Sequence, residues 1–305
     1  MAQPSSRRPG PRRSRSRRPS APRRTASGRR NPEHTTRRLA YVMAVVVIGV
    51  IAWLVASAKQ TDGAERVDLP GGSLLAVAAS KDLPQEIIDY SGMTVSFNPE
   101  THEPNWVAWE LLGSETTGLH ARESQFSVDD NVKGCATPAD YRRSGYDRGH
   151  MAPAGDMKWS RQSMRESFLM TNICPQAGEL NRGAWQKLEE KCRQRAEVDS
   201  AVIIVCGPVF RKGEAVERIG ETGVAVPRQF FKVVLSPYAD PPVAIGFLMP
   251  NGPVVGGMQR CAVPVDSVEA VTGYDFFAAL PDDVEAAVES QCNFARWSRS
   301  PKPRK

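Results

Sequence analysis

A chain of 305 residues with 41% hydrophobic content holds enough apolar material for a sizeable core, which excludes a wholly disordered protein. The formal net charge of +6 hides a segregation. Residues 1–38 carry 13 Arg against one acid, Glu33, for +12; residues 296–305 add +5; residues 59–295 are left with −11. A uniformly basic surface is therefore excluded, and an acidic globular region lies between two basic ends.

In chain order, 1–38 is rich in Arg, Pro and Ser without a hydrophobic pattern, so it reads as a disordered cytoplasmic tail. Leu39 to Ala58 is an uncharged run of 20 residues, long enough as a helix to span a bilayer core of about 30 Å. It predicts one transmembrane helix with the Arg-rich side cytoplasmic and residues 59–305 extracytoplasmic. Two alternatives stand beside it. Ala56-Ser57-Ala58 resembles a small-residue cleavage site, which would give a secreted product, and an Arg-rich, acid-poor N-terminus suits a mitochondrial segment, with 39–58 in the inner membrane. Residues 59–88 read as a linker, 89–292 as the domain, and 293–305 as a basic C-terminal tail.

Within the domain, strand-like apolar runs fall at Met93–Phe97, Trp106–Leu111, Phe168–Ile173, Ala201–Cys206, Phe230–Leu235 and Val243–Met249. Helices are predicted at about 161–167 with Ser160 as cap, at about Leu180 to Val198, near Ser267–Thr272 ended by Gly273, and near Asp282–Gln291. Short strands mixed irregularly with helices indicate an α+β fold. All six cysteines follow the apolar run, which suits an oxidising compartment and predicts one or two disulfides without assigning partners.

The chemistry concentrates around one of only four histidines. His150 closes Asp147-Arg148-Gly149-His150, read as a charged turn, and its neutral form can take a proton from water. Arg148 offers a fork suited to phosphate oxygens; the competing reading is a surface turn with Asp147 and Arg148 paired. Downstream, Asn181, Trp185, Leu188 and Cys192 recur on one helix face that should pack inward. Glu189, about 80° around that helix from Asn181, could reach an ion through water. An amide with waters suits Mg2+, although Asn181 could equally cap the helix and Glu189 lie on a solvated face. Residues 142–195 hold 11 Lys/Arg and 6 Asp/Glu, a local +5 within the acidic region. That is a localised footprint for a polyanion.

The stretches SGYDRGHMAPAGD (144–156), TNICPQ (171–176) and LNRGAWQKLEE (180–190) strongly resemble the DNA/RNA non-specific endonucleases. WVAW (106–109), RESQFSVDD (122–130), CGPVF (206–210), VAVPRQFFKVVL (224–235) and VEAVTGYDFF (268–277) agree in order and spacing. The resemblance spans about 90–290 and implies the ββα-metal, or His-Me finger, fold: a mainly antiparallel central sheet flanked by helices. It implies that His150 is the general base and Asn181 the direct ligand of Mg2+, with Mn2+ as substitute. Glu189 would orient a metal-bound water, and Asn172 would be the supporting Asn. Arg122 and Arg148 would be the substrate-phosphate and structural arginines, with Arg182 beside them on the substrate, and Asp147 would hold the finger together. Thr171 stands where Ser is usual. Expected partners are DNA and RNA as substrate, the membrane through 39–58, a second copy in a homodimer, and a protein inhibitor. A catalytically dead nucleic-acid-binding module is the rival reading, against which intact His150, Asn181 and Glu189 argue.

Overall fold

The computed structural model describes residues 75–79, 83–211 and 213–299. The basic tail 1–38, the apolar run 39–58 and most of the linker lie outside them. No helix among the described residues is long and apolar enough to cross a membrane.

Eleven strands appear in chain order: β1 (Glu86–Asp89), β2 (Thr94–Asn98), β3 (Glu103–Leu112), β4 (Asp147–His150), β5 (Ile173–Gln176), β6 (Ala201–Val209), β7 (Glu217–Ile219), β8 (Val224–Val226), β9 (Gln229–Ser236), β10 (Val243–Pro250) and β11 (Ala262–Val263). Seven of them form one antiparallel sheet in the order β1-β2-β3-β6-β9-β10-β11, and β4-β5 and β7-β8 are separate two-stranded ribbons. The helices are α1 (Arg161–Glu166), α2 (Gln186–Asp199), α3 (Val265–Thr272), α4 (Asp282–Glu289) and α5 (Phe294–Trp297).

Successive residues of a strand point to opposite faces, and here both faces are covered. On β3, Val107, Trp109 and Leu111 enter one core cluster while Trp106 and Ala108 enter another. On β9, Phe230 and Val234 face the first cluster and Phe231, Val233 and Leu235 the second. This double burial is why the central strands read as unbroken apolar runs despite being antiparallel. The β4-β5 ribbon and α2 supply Ile173, Cys174, Leu188 and Cys192 to the first cluster. α3 and α4 supply Val265, Val268 and Val288 to the second. The finger and the α3-α4 pair therefore occupy opposite faces of the sheet.

Several expectations change. The strand expected at Phe168–Ile173 begins only at Ile173, because Met170–Asn172 forms a 3-10 turn. Asp147–His150 is a strand rather than a turn, paired to β5 residue for residue. The helix expected from Leu180 to Val198 is broken: Leu180–Trp185 is a π-helical turn, Gly183 leaves helical geometry at φ −115°, ψ −106°, and α2 starts at Gln186. Trp297, expected in the basic tail, packs 5.1 Å from the ring of Phe247. The disulfides are absent, since all six cysteines are free and five are buried. They act as small apolar side chains. Burial pushes the Cys206 thiol up to about 11, which disfavours the thiolate that disulfide exchange requires. The Ser160 cap holds, its hydroxyl accepting from the Ser163 N–H at 3.2 Å.

β3 and β6 approach closely at Gly207, where an added Cβ would lie 2.3 Å from the Asn105 carbonyl oxygen. Gly207→Ala should therefore destabilise the sheet by about 1–3 kcal/mol. Chemical denaturation checks this, and an unchanged midpoint would show that β3 and β6 can separate at no cost.

Candidate active site

β4, β5, the π turn and α2 form an antiparallel ribbon followed by a helix, and the putting-together of the site is local to it. His150 sits at the end of β4 opposite Ile173. Its ring is 8% exposed and wedged between Phe168, 4.7 Å away edge-on, and Phe126 at 5.3 Å. Its Nε2 is buried without a hydrogen-bond partner. Such a group is costly to bury unless something completes it. Burial, and then the charge of Arg122, hold the imidazole down to about 3, so it is a neutral proton acceptor at any physiological pH.

Asn172 fixes the chain just beyond His150. Its Oδ1 accepts from the Ala152 N–H at 2.9 Å, and its Nδ2 donates to the carbonyls of Ala152 at 2.9 Å and Ser167 at 2.8 Å. Every polar atom of that fully buried amide is thus spent on backbone. Asn172 is a positioning residue and does not line the cleft. Gly149 is required for a different reason. A Cβ there would lie 2.4 Å from Gln176 Oε1 and 2.5 Å from its Cβ.

Asp147 opens the same strand and reaches the π turn. Its Oδ2 accepts from Asn181 Nδ2 at 3.0 Å, and its Oδ1 pairs with Arg182 at 3.2 Å. With its NH2 group so held, Asn181 has its carbonyl oxygen left to offer. Asn181 is half-buried rather than packed inward with Trp185, Leu188 and Cys192, because the break at Gly183 turns it out of their face.

His150, Asn181, Arg182, Glu189 and Arg122 all line one cleft of about 320 Å³, together with Gln186, Arg193 and the segment Pro153–Gly155. The two residues that matter most thus come from separate elements and face a common space. Arg122 lies 5.1 Å above the Phe168 ring, and Arg182, paired with Asp147, is largely exposed; both put positive charge on the cleft. Arg148 is not part of the cleft lining. Its guanidinium stacks 5.4 Å from Phe126 and donates to the Pro138 carbonyl, which supports the wall behind His150.

Beneath the cleft is a charged layer to which no role was assigned from sequence. Arg193, one turn beyond Glu189, pairs at 2.7 Å with Asp156, which is fully buried and also accepts from Trp109 Nε1 at 3.1 Å. Lys232, buried in the middle of β9, has its Nζ 4.5 Å from the Trp185 ring and 5.0 Å from Trp109. Burial alone would lower that ammonium, but Cys206, Cys192, Glu189 and Asp156 together lift it above its usual value. Burial pushes Glu189 up to about 8, aided by Asp156 and opposed by Lys232, Arg193 and Arg122. The signal was legible: Lys232 is the lone charge in the apolar run FFKVVL, and the run alternates its faces.

The fold and this arrangement define an α+β protein with a ββα finger whose imidazole and amide share a polar cleft. The family model of the DNA/RNA non-specific endonucleases matches residues 71–283, and the chain belongs to that family. It is 35% identical over 194 residues to human endonuclease G, mitochondrial, covering 59% of this chain and 65% of the relative. It is 36% identical over 207 residues to zebrafish nuclease EXOG, mitochondrial, covering 63% and 60%. It is 35% identical over 216 residues to fission-yeast nuclease 1, mitochondrial, covering 64% and 66%. The match therefore spans 60–66% of the length of these curated relatives. A crystal structure described as an EndoG/EndoGI complex, solved for the mechanism of EndoG inhibition, superposes with a TM-score of 0.61 at 30% identity, over 65% of this chain and 87% of that one.

The depressed imidazole has a measurable sign. The unfolded state protonates His150 near the ordinary histidine value of about 6.5, whereas the folded state holds it neutral down to about 3. Its contribution to stability is thus fully present above about pH 6.5 and is lost as pH falls towards 3, at up to ~1.4 kcal/mol per pH unit. NMR titration of the chelator-treated protein should find the ring uncharged at pH 5; a midpoint near 6.5 would contradict its burial.

Proposed function

We propose that the chain is a metal-dependent endonuclease that hydrolyses phosphodiester bonds of DNA and RNA with little regard to sequence. The single observation that carries this is that His150, whose buried Nε2 has no hydrogen-bond partner, lines one cleft with Asn181. In the substrate-free protein the ring is uncharged and a weak base; a bound phosphate, being anionic and offsetting the Arg122 charge, would raise its proton affinity towards the range in which it can take a proton from water.

The cleft's donor set fits a hard divalent cation. The Asn181 carbonyl oxygen would hold it directly and Glu189 through water, with Mg2+ the natural ion and Mn2+ a substitute. When bound, the ion would neutralise charge on the phosphate and stabilise the leaving 3′-oxygen. Everything else falls to side chains. His150 removes a proton from water in line with the scissile phosphorus, and Asn172 keeps its backbone in place. Arg122, Arg182 and Arg193 supply positive charge along the cleft. Lys232 and Arg193, below and beside Glu189, favour its charged form against burial. Contacts through Arg to phosphate carry no base information, which supports weak sequence selectivity. The resemblance implies 5′-phosphate products.

The assignment of a nuclease domain, of 39–58 as its anchor and of 1–38 as a flanking tail is part of the same reading, with the domain running from the strand at Glu86–Asp89 through the packed Trp297. The mitochondrial names of the human, zebrafish and fission-yeast relatives favour the mitochondrial alternative for its location, with the apolar run in the inner membrane. The structural relative solved with EndoGI favours control by a protein inhibitor. A homodimer remains part of the proposal on family resemblance alone.

General-base assistance is worth roughly 10²–10⁴ in rate. His150→Ala should lose at least that factor on plasmid and RNA substrates while retaining the fold by circular dichroism, and near-full activity would refute the assignment. Asn181→Ala should need far more Mg2+ for half-maximal rate. An unaltered metal titration would remove Asn181 from the ligand role.

A further inference from the structure

On the face of the sheet opposite the cleft, α3 and α4 bring three carboxylates together. Asp266 and Glu269 come from α3 and Glu289 from the last turn of α4, and one oxygen from each lies within 4.8 Å of the others. Oxygens around a cation bonded at about 2.4 Å are separated by no more than about 4.8 Å, so with small side-chain adjustments the three could share one ion. Asp266 is exposed and Glu269 partly covered. Glu269 is steadied by the Phe276 N–H, which donates to its Oε1 at 2.8 Å.

Glu289 supplies the independent observation. It is 5% exposed, and its Oε1 is buried with no hydrogen-bond partner. A carboxylate is almost never buried unpaired, because its desolvation is large. Here the charges acting on it make matters worse, since Glu269, Glu285, Asp266 and Asp275 are all acidic. Neither α3 nor α4 contains a Lys or Arg. Burial and those acids push Glu289 up to about 8. A helix pair that gathers like charges around a buried, unsatisfied oxygen lacks its counter-charge.

We propose that Asp266, Glu269 and Glu289 form a second divalent-cation site, of the calcium class, that clamps α3 to α4. Calcium suits it better than magnesium. The ligands are flexible carboxylates on two helices rather than a preset octahedron, and the exposed side at Asp266 leaves room for water to complete a shell of six to eight oxygens. The site is separate from the catalytic cleft and does not depend on the function assigned there.

The test uses the full-length chain carrying Asn181→Ala, so that the cleft does not report. After chelator treatment, Ca2+ is added and the melting temperature and bound calcium are read. One ion per chain and a rise of roughly 5 °C are expected. Asp266→Asn, at an exposed position safe for folding, should abolish the rise. Glu289→Gln should also abolish it. Absence of any calcium-dependent rise in the parent overturns the site. So does a rise that persists in both variants.

Discussion

The Asp147 carboxylate joins the two halves of the site. It stands at the start of β4, three residues before His150, and its two oxygens hold Asn181 and Arg182 of the π turn. The strand that delivers the imidazole thus also sets the amide. A hydrogen bond to a charged acceptor is worth more than one between neutral groups, and this one decides which end of the Asn181 amide remains free. The Asn172 amide does the corresponding work on the far side of His150, binding backbone on both Ala152 and Ser167. A nucleophile-activating group and a cation ligand have to be held to a fraction of an ångström. Two short polar links across the ribbon achieve this without a long rigid element.

That ribbon rests on an unusual floor. Lys232, Asp156, Arg193 and Glu189 place two cations and two acids between the sheet and α2, with Trp109 and Trp185 as walls. Buried charges stabilise poorly by themselves and are expensive to strip of a partner. Their placement below the cleft proposed to take a polyanion and a cation gives them another use in that proposal. The layer balances Glu189 between burial, which neutralises it, and the neighbouring cations, which keep it charged. The opposite face of the sheet has no such balance at Glu289, where burial and the neighbouring acids all push in one direction.

Much of this was legible in the sequence, for identifiable reasons. The central strands announced themselves because both of their faces are buried, and Ser160 because a hydroxyl cap is a local device. β4 was hidden because Asp, Arg and Gly disfavour strands; it is extended only by pairing with β5, and Gly149 is needed to admit the Gln176 side chain. The break at Gly183 was visible as a glycine inside a helical pattern but was overridden by the apolar periodicity around it. That break is what turns Asn181 towards the cleft. The disulfides were inferred from compartment, whereas packing decided the matter: the cysteines fill apolar space. The family resemblance located His150, Asn181 and Glu189, while Lys232 and Asp156, inside the same quoted stretches, needed three-dimensional neighbours to acquire meaning.

The most direct measurement is anomalous scattering from crystals grown with Mn2+ and a short DNA duplex. One ion should lie about 2.1 Å from the Asn181 carbonyl oxygen, with a phosphate between it and the His150 ring. An ion ligated elsewhere in the cleft, with His150 turned away from the phosphate, would contradict the joint placement of base and cation on which the activity is proposed to rest.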